Sequence, residues 1–445
     1  MPLPDLIEIV PLEKPVHAEI TVPGSKSITN RALILAALAE GEVTLQGALW
    51  SEDTQIMVEC LQELGFMVNV APDPNEACNR TITVYGKGGA IPPGGTEQQP
   101  LELFVGNAGT AARFLSAFVC LGKGVYRLHG VARMHERPQA ALFKALRELG
   151  YRVEAENGND KLPVRIFGSR RGNEAGNVSR SENRLLTSAA TVSIEESSQF
   201  ASALLLCAKT GNWEIKITGE NAEESPYVAM TSELIKVFPK QGGNFPIEPD
   251  ASSNSYVWAA AMIERISFVD YGVIKPSFNT VTEMQIDNRF PIVFHLFETI
   301  AVSRATDLGD SIMTAIVLAP FAYREIKFTD LARLRVQECE RVVALRTELT
   351  KCGAKVIEEG DTLTVYPSKL HGAEIETYND HRMAMCFSIL GLKVPGIKIK
   401  NPACVKKTFP NFFQKLAAAP PHGLGAKILD AKTGRTLSHE ELFAD

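Results

Sequence analysis

Lys26 and Arg31 lie within Val22-Pro23-Gly24-Ser25-Lys26-Ser27-Ile28-Thr29-Asn30-Arg31, a stretch that joins a turn, a helix start and two cations. Pro23-Gly24 force a turn after a short alternating strand, and Ser27 or Thr29 is placed to cap an apolar helix running from Arg31 to Leu38. A helix N-terminus presents unpaired N–H groups and the positive end of a dipole, so with two cations added the stretch suits an anion. It is not a P-loop, because Gly-Lys-Ser/Thr with a glycine five residues earlier is missing.

The arrangement recurs along the chain. Gly106-Asn107-Ala108-Gly109-Thr110 leads into a helix expected near Thr110, with Thr110 as its cap. Arg137 precedes Pro138, which is predicted to open another helix, and Ser197-Ser198-Gln199 stands before the apolar run from Phe200 to Leu206. In the second half, Asp310-Ser311 precedes an apolar helix, Glu338-Cys339-Glu340-Arg341 is expected on a helix together with Arg335, Tyr378 to Arg382 opens another, and Lys406-Lys407-Thr408 precedes Phe409-Pro410. Any one of these is ordinary capping. Their repetition beside Arg or Lys in both halves points to a doubly anionic small molecule held between two lobes.

The elements that must position these residues show a weak internal repeat. Helices end at Leu64-Gly65, Leu149-Gly150 and Cys352-Gly353, and an alternating strand follows each at once. This predicts α/β units stacked into two similar lobes, not a single Rossmann sheet. Polar, glycine-rich segments near 86–100 and 168–185 read as surface loops, Gln241 to Pro246 as a break before a new helix, and residues 420–445 as a small C-terminal appendage.

With 445 residues, 45% hydrophobic and 22% charged, the chain has the composition of a soluble globular protein with room for two domains. No run approaches about 18 apolar residues, and the N-terminus has no basic and apolar signal region, so a cytoplasmic location is expected. The eight cysteines are scattered without a C-x-x-C pair and read as reduced core thiols; no metal site is expected. A net charge of −6 argues against a nucleic-acid surface but not against a local anion pocket.

Gly24 to Arg31, Gly106 to Thr110, Glu136-Arg137-Pro138, Ser197 to Gln199, Asp250 to Ser253, Asp380 to Met385 and Lys407 to Pro410, in this order from about residue 15 to 416, resemble the 5-enolpyruvylshikimate-3-phosphate synthase family. The resemblance implies transfer of the enolpyruvyl group of phosphoenolpyruvate to the 5-hydroxyl of shikimate 3-phosphate with release of phosphate, in the shikimate pathway to aromatic amino acids, without metal or organic cofactor. It implies two lobes of three βαβαββ units each, with the chain crossing between them twice. Lobe one would be residues 25–246, and lobe two residues 1–24 plus 247–445.

Carried over by position, Lys26 would touch both substrates, and Ser27 and Arg31 would hold the shikimate carboxylate. Lys26, Asn107, Gly109, Arg137, Gln199, Arg341, Arg382 and Lys407 would bind phosphoenolpyruvate. Ser197, Ser198, Gln199, Asp310 and Gln337 would complete the shikimate 3-phosphate site, with Asp310 taking the hydroxyl proton and Glu338 protonating the methylene carbon. The implied partners are these two small molecules, with no nucleic acid or membrane and a monomeric enzyme.

Three positions depart from the family pattern. Gln337 stands where the family usually has lysine in Val-Lys-Glu, with Arg335 or Arg333 as candidates to compensate. Glu224 replaces a phosphate-binding serine, with Ser225 adjacent, and Phe114 follows Arg113 where plant-like members have proline, a place that bears on glyphosate sensitivity. The competing readings are an enolpyruvyl transferase for another phosphorylated or nucleotide-sugar acceptor, an RNA-end-processing fold relative, and a non-catalytic homologue. The first uses a loop cysteine that Ala132 to Gln139 lacks.

Overall fold

The computed structural model describes residues 3–168, 188–219, 225–269, 272–277, 284–296 and 298–444. The chain forms two compact units, one of Gly24–Asp73 and Asn79–Ile247, the other of Met1–Pro23, Pro74–Cys78 and Glu248–Asp445. The chain therefore passes from one unit to the other four times, where two crossings were expected. The extra pair is the Pro74–Cys78 excursion, which Glu76 anchors: its buried carboxylate accepts from Thr21 Oγ1 at 2.6 Å, Asn411 Nδ2 at 2.7 Å and Lys415 Nζ at 2.8 Å, all in the second unit.

Each unit contains two four-stranded sheets of one design and a parallel strand pair. In the first unit one sheet runs Leu101–Phe104, Val125–His129, Val164–Phe167, Arg152–Ala155, with the first pair parallel and the others antiparallel. The other runs Gly243–Pro246, Glu40–Leu49, Asn79–Lys87, Val68–Pro72 with the same directions. The second unit repeats the design in Ala301–Ser303, Ile326–Thr329, Thr362–Val365, Val356–Glu359, and in Glu374–Ile375, Ile397–Lys400, Leu6–Ile9, Ile428–Asp430. The remaining pairs, Ser188–Ser193 with Trp213–Thr218 and Ala18–Ile20 with Ile274–Pro276, are parallel. Among the described residues, each unit thus shows two sheets with the strand directions expected of a βαβαββ unit and one parallel pair in place of a third.

The glycine signal in the sequence has a common physical basis. Gly65, Gly150 and Gly353 have φ of 85°, 93° and 90°, which L-residues avoid. After each, the next N–H turns back to a carbonyl in the last helical turn, Phe66 to Leu61, Tyr151 to Leu146 and Ala354 to Leu349, closing the same cap three times. The helices Gly109–Phe118, Ile312–Leu318 and His381–Gly391 are buried along their whole length, the first and last with an arginine, Arg113 or Arg382, buried among mostly apolar residues.

Two sequence expectations change here. Residues 420–445 are not an appendage: Ile428–Asp430 pairs with Leu6–Ile9, and Leu424, Ala426, Ile428, Leu437 and Leu442 are part of the core. Gly243–Pro246 is a strand rather than a break, and the following helix, Ala251–Ser267, starts at Asp250. Residues 169–187, most of one expected loop, lie outside the described residues.

Candidate active site

In the first unit, the starts of four helices meet: Lys26–Leu38, Gly109–Phe118, Gln199–Gly211 and Pro226–Val237. Arg31, just past the first turn, ties them. Its guanidinium donates to Thr231 Oγ1 at 2.7 Å, Ser202 Oγ at 3.0 Å, Tyr227 O at 3.4 Å and Ser27 O at 2.8 Å, and lies 5.3 Å over the Phe114 ring. It is fully buried, and among the described residues no carboxylate pairs with it. Burial without a counter-charge pushes its pKa down to about 10. Phe114, flagged as a departure from the family, is the platform under this cation.

Lys26 pairs with Asp53 at 3.1 Å and keeps part of its side chain exposed. Arg137 donates from Nη1 to Asn107 O at 3.2 Å, and its Nε is buried without a partner among the described residues, as is Asn107 Oδ1. Gly109 is small for a reason: a Cβ there would lie 2.6 Å from both Arg137 Nη2 and Arg113 Nη1. Two guanidiniums thus lie over one helix start, a cradle for a bidentate anion. Arg113 also holds Gln199 Oε1 at 2.8 Å while Gln199 Nε2 donates to Thr110 Oγ1 at 3.0 Å, which fixes the amide. Ser197 accepts from Gln199 N at 3.3 Å, Ser198 is the N-cap residue of that helix, and Ser225 begins the next with a buried hydroxyl that has no partner among the described residues.

The second unit gathers the other set. Helices Ala251–Ser267, Ile312–Leu318, Arg341–Lys351 and His381–Gly391 begin beside one another. Asp380 caps the last of these and pairs with Arg341 Nε at 2.7 Å. Arg341 Nη2 reaches Glu338 at 2.9 Å, and Nη1 lies 3.9 Å from Asp310. Lys407 holds the other oxygen of Glu338 at 3.3 Å. Arg382 lies 3.3 Å from Asp310 and donates to Ser252 Oγ at 3.0 Å, with its Nε unpartnered among the described residues. Burial alone would raise the Asp310 pKa, but Arg382, Arg304 and Arg341 outweigh it and hold the carboxyl well below its usual range. The turn carrying Asp310 is fixed by buried Asp287, whose Oδ1 accepts from Gly309 N at 2.9 Å and Ser311 N at 3.0 Å.

Several local readings change. The first helix starts at Lys26 with Ser25 at its cap, so Ser27 and Thr29 lie inside it; Thr110 likewise lies inside its helix, which Ala108 precedes. Arg137 follows a short helix, Ala132–Glu136, and the next begins at Ala140, not at Pro138. Glu338 is not helical, because the segment between the Ala332–Val336 turn and Arg341 is irregular. Arg335 cannot compensate for Gln337: it is bound to Glu340, Glu358 and Asp361. Glu224 lies outside the described residues. Nothing in the sequence marks Asp53, Ser202, Thr231 or Arg304, which become partners by tertiary contact alone.

Solved structures share this architecture. EPSP synthase from Acinetobacter baumannii matches with a TM-score of 0.66 at 21% identity, covering 95% of this chain and 99% of that one. The enolpyruvyl transferase NikO from Streptomyces tendae matches with a TM-score of 0.60 at 15% identity, covering 98% and 100%. The fold is that of the enolpyruvyl transferases.

The family model for EPSP synthase (3-phosphoshikimate 1-carboxyvinyltransferase) matches residues 10–416, and the chain belongs to that family. Among its curated relatives, the 3-phosphoshikimate 1-carboxyvinyltransferase of Trichormus variabilis is 36% identical over 444 residues, covering 92% of this chain and 98% of the relative. That of Opitutus terrae is 36% identical over 449 residues, covering 94% and 98%.

Proposed function

We propose that the chain transfers the enolpyruvyl group of phosphoenolpyruvate to the 5-hydroxyl of shikimate 3-phosphate, releasing phosphate, as a 3-phosphoshikimate 1-carboxyvinyltransferase. The observation that carries the chemical assignment is that one guanidinium, Arg341, spans the carboxylates of both Glu338 and Asp310. Addition across a double bond needs a base at the attacking oxygen and an acid at the adjacent carbon, held in fixed relation. Asp310 takes the proton of the hydroxyl as its oxygen bonds to C2 of phosphoenolpyruvate, and Glu338 gives a proton to C3. In the second half the C2–phosphate oxygen bond breaks, phosphate leaves, and a methyl proton returns to the protein, restoring the double bond.

Lys26, Asn107, Gly109, Arg137, Gln199, Arg341, Arg382 and Lys407 are the phosphoenolpyruvate-binding set in this reading. The unpartnered Nε groups of Arg137 and Arg382 support it, since each is a buried donor without an acceptor among the described residues. Lys26, Ser27, Arg31, Ser197, Ser198, Gln199, Asp310 and Gln337 receive shikimate 3-phosphate. The buried, uncompensated charge of Arg31 supports its pairing with the substrate carboxylate, and the Ser225 hydroxyl, without a partner among the described residues, supports Ser225 as the phosphate contact in place of Glu224.

A monomeric enzyme is part of this reading, and sedimentation at assay concentration tests it. None of the eight cysteines is in a disulfide, which supports a cytoplasmic location, and no helix among the described residues is long and apolar enough to cross a membrane. The assignment of Glu338 is tested by proton exchange in deuterated water. Glu338→Gln should slow exchange into the methylene of phosphoenolpyruvate, and a wild-type exchange rate would reassign the acid.

A further inference from the structure

Arg304 follows the Ala301–Ser303 strand, in a turn closed by the Ser303 N–H on Asp307 at 2.8 Å. Its Nη2 lies 2.9 Å from Asp310 Oδ1, and both side chains are largely buried, 7% and 15% exposed. The same oxygen accepts from Gln337 Nε2 at 3.5 Å, while Gln337 Oε1 accepts from Arg341. Gln337 therefore works as a two-sided amide, a donor to the carboxylate and an acceptor from a guanidinium. A lysine at 337 could not accept, and its ammonium would be one more cation at a carboxylate already facing Arg304, Arg341 and Arg382. Arg304 and Gln337 are thus a matched pair: the cation comes from residue 304 and neutrality from residue 337.

We propose that Arg304 is the positioning residue for Asp310 in this protein, supplying from a different strand end the positive charge that Gln337 lacks. Arg304 Nε is buried with no acceptor among the described residues, so the fork keeps one donor for an oxygen of the bound acceptor. The proposal rests on the assignment of Asp310 as the base. It differs from the compensation expected from Arg335, which is spent on three carboxylates elsewhere.

The test is a mutant cycle of wild type, Arg304→Met, Gln337→Lys and the double variant, with Arg304→Lys as the conservative control. Arg304→Met should lower kcat/KM for shikimate 3-phosphate by about tenfold to a hundredfold, the loss of one charge-assisted hydrogen bond. It should also move the acid limb of the pH–rate profile upward, because a cation has left Asp310. Arg304→Lys should recover part of the rate. Gln337→Lys should impair the wild-type protein yet improve Arg304→Met. The same reversal of sign should appear in the melting temperatures, which need no substrate and report the pair even if Arg304→Met turns over nothing. An equal effect of Gln337→Lys in both backgrounds, or an unmoved pH profile in Arg304→Met, overturns the proposal. Failure of the wild type to use shikimate 3-phosphate would instead overturn the assigned reaction.

Discussion

Arg341 Nε lies 2.7 Å from Asp380 Oδ2, and neither side chain is exposed beyond 1%. A buried pair of this kind does two jobs: it aims a cation at Glu338 and it holds the start of the His381–Gly391 helix. Removing one partner leaves an uncompensated buried charge, which costs about 3–5 kcal/mol. Arg341→Ala should therefore lose activity and also unfold at clearly lower urea. Asp380→Asn should do the same, and an unchanged unfolding midpoint in both would show that the pair has no structural role.

Lys26 is the contrasting case. Among the described residues its one ion pair is with Asp53, whose charge also faces the N-terminal turn of the Glu52–Glu63 helix and is favoured there without the lysine. Lys26→Ala should change stability by about 1 kcal/mol or less and slow turnover by about a hundredfold if it touches both substrates. Turnover near wild type would remove Lys26 from the site.

Arg31 carries a pH prediction. Its folded-state pKa of about 10 lies below the ordinary guanidinium value, so the buried cation burdens the free protein below that pH and is lost as pH rises through it. Shikimate 3-phosphate binding, followed by calorimetry, should weaken as pH passes about 10. Arg31→Gln should bind more weakly at pH 8 and show less of that fall. The same fall in both proteins would place the titration elsewhere.

At Gly109, an added Cβ meets only the ends of two long side chains, Arg137 and Arg113. Gly109→Ala should fold normally, because guanidinium tips can move, but it should displace the cradle. The KM for phosphoenolpyruvate should rise by about tenfold or more, and by more than that for shikimate 3-phosphate, which the displaced Arg113 touches only through Gln199. Equal changes in both would contradict the division of the two sets.

Ser225 has a buried hydroxyl without a partner among the described residues, and its assigned acceptor is the substrate phosphate. Ser225→Ala should shrink the preference for shikimate 3-phosphate over shikimate, measured as a ratio of kcat/KM. An unchanged ratio would leave the phosphate to other donors.

Much of this architecture was legible because it rests on local chemistry. The Gly65, Gly150 and Gly353 caps announce themselves through a backbone conformation that few other residues tolerate; of the polar helix starts, Asp250 and Asp380 do cap through their side chains, whereas Ser27, Thr29 and Thr110 lie inside their helices. What stayed hidden was tertiary. Arg304 sits in a polar turn with nothing in its neighbourhood to mark it, and only the fold brings it to Asp310. Nothing in the sequence singles out Glu76, yet it is the buried anchor of an excursion. The C-terminal residues lack a strong strand pattern, because Ile428–Asp430 is short and its partner, Leu6–Ile9, lies at the other end of the chain. Glu338 was misplaced on a helix because its carboxylate, unlike that of Glu340, is not used as a cap.

The central claim is the reaction with a phosphorylated shikimate despite Gln337 and Glu224. Phosphate release from phosphoenolpyruvate, measured in turn with shikimate 3-phosphate, unphosphorylated shikimate and UDP-N-acetylglucosamine, tests it most directly. Fast release with shikimate 3-phosphate, and release at least about tenfold slower with the other two, is the predicted result. Release driven by UDP-N-acetylglucosamine, or by none of the three, would contradict it.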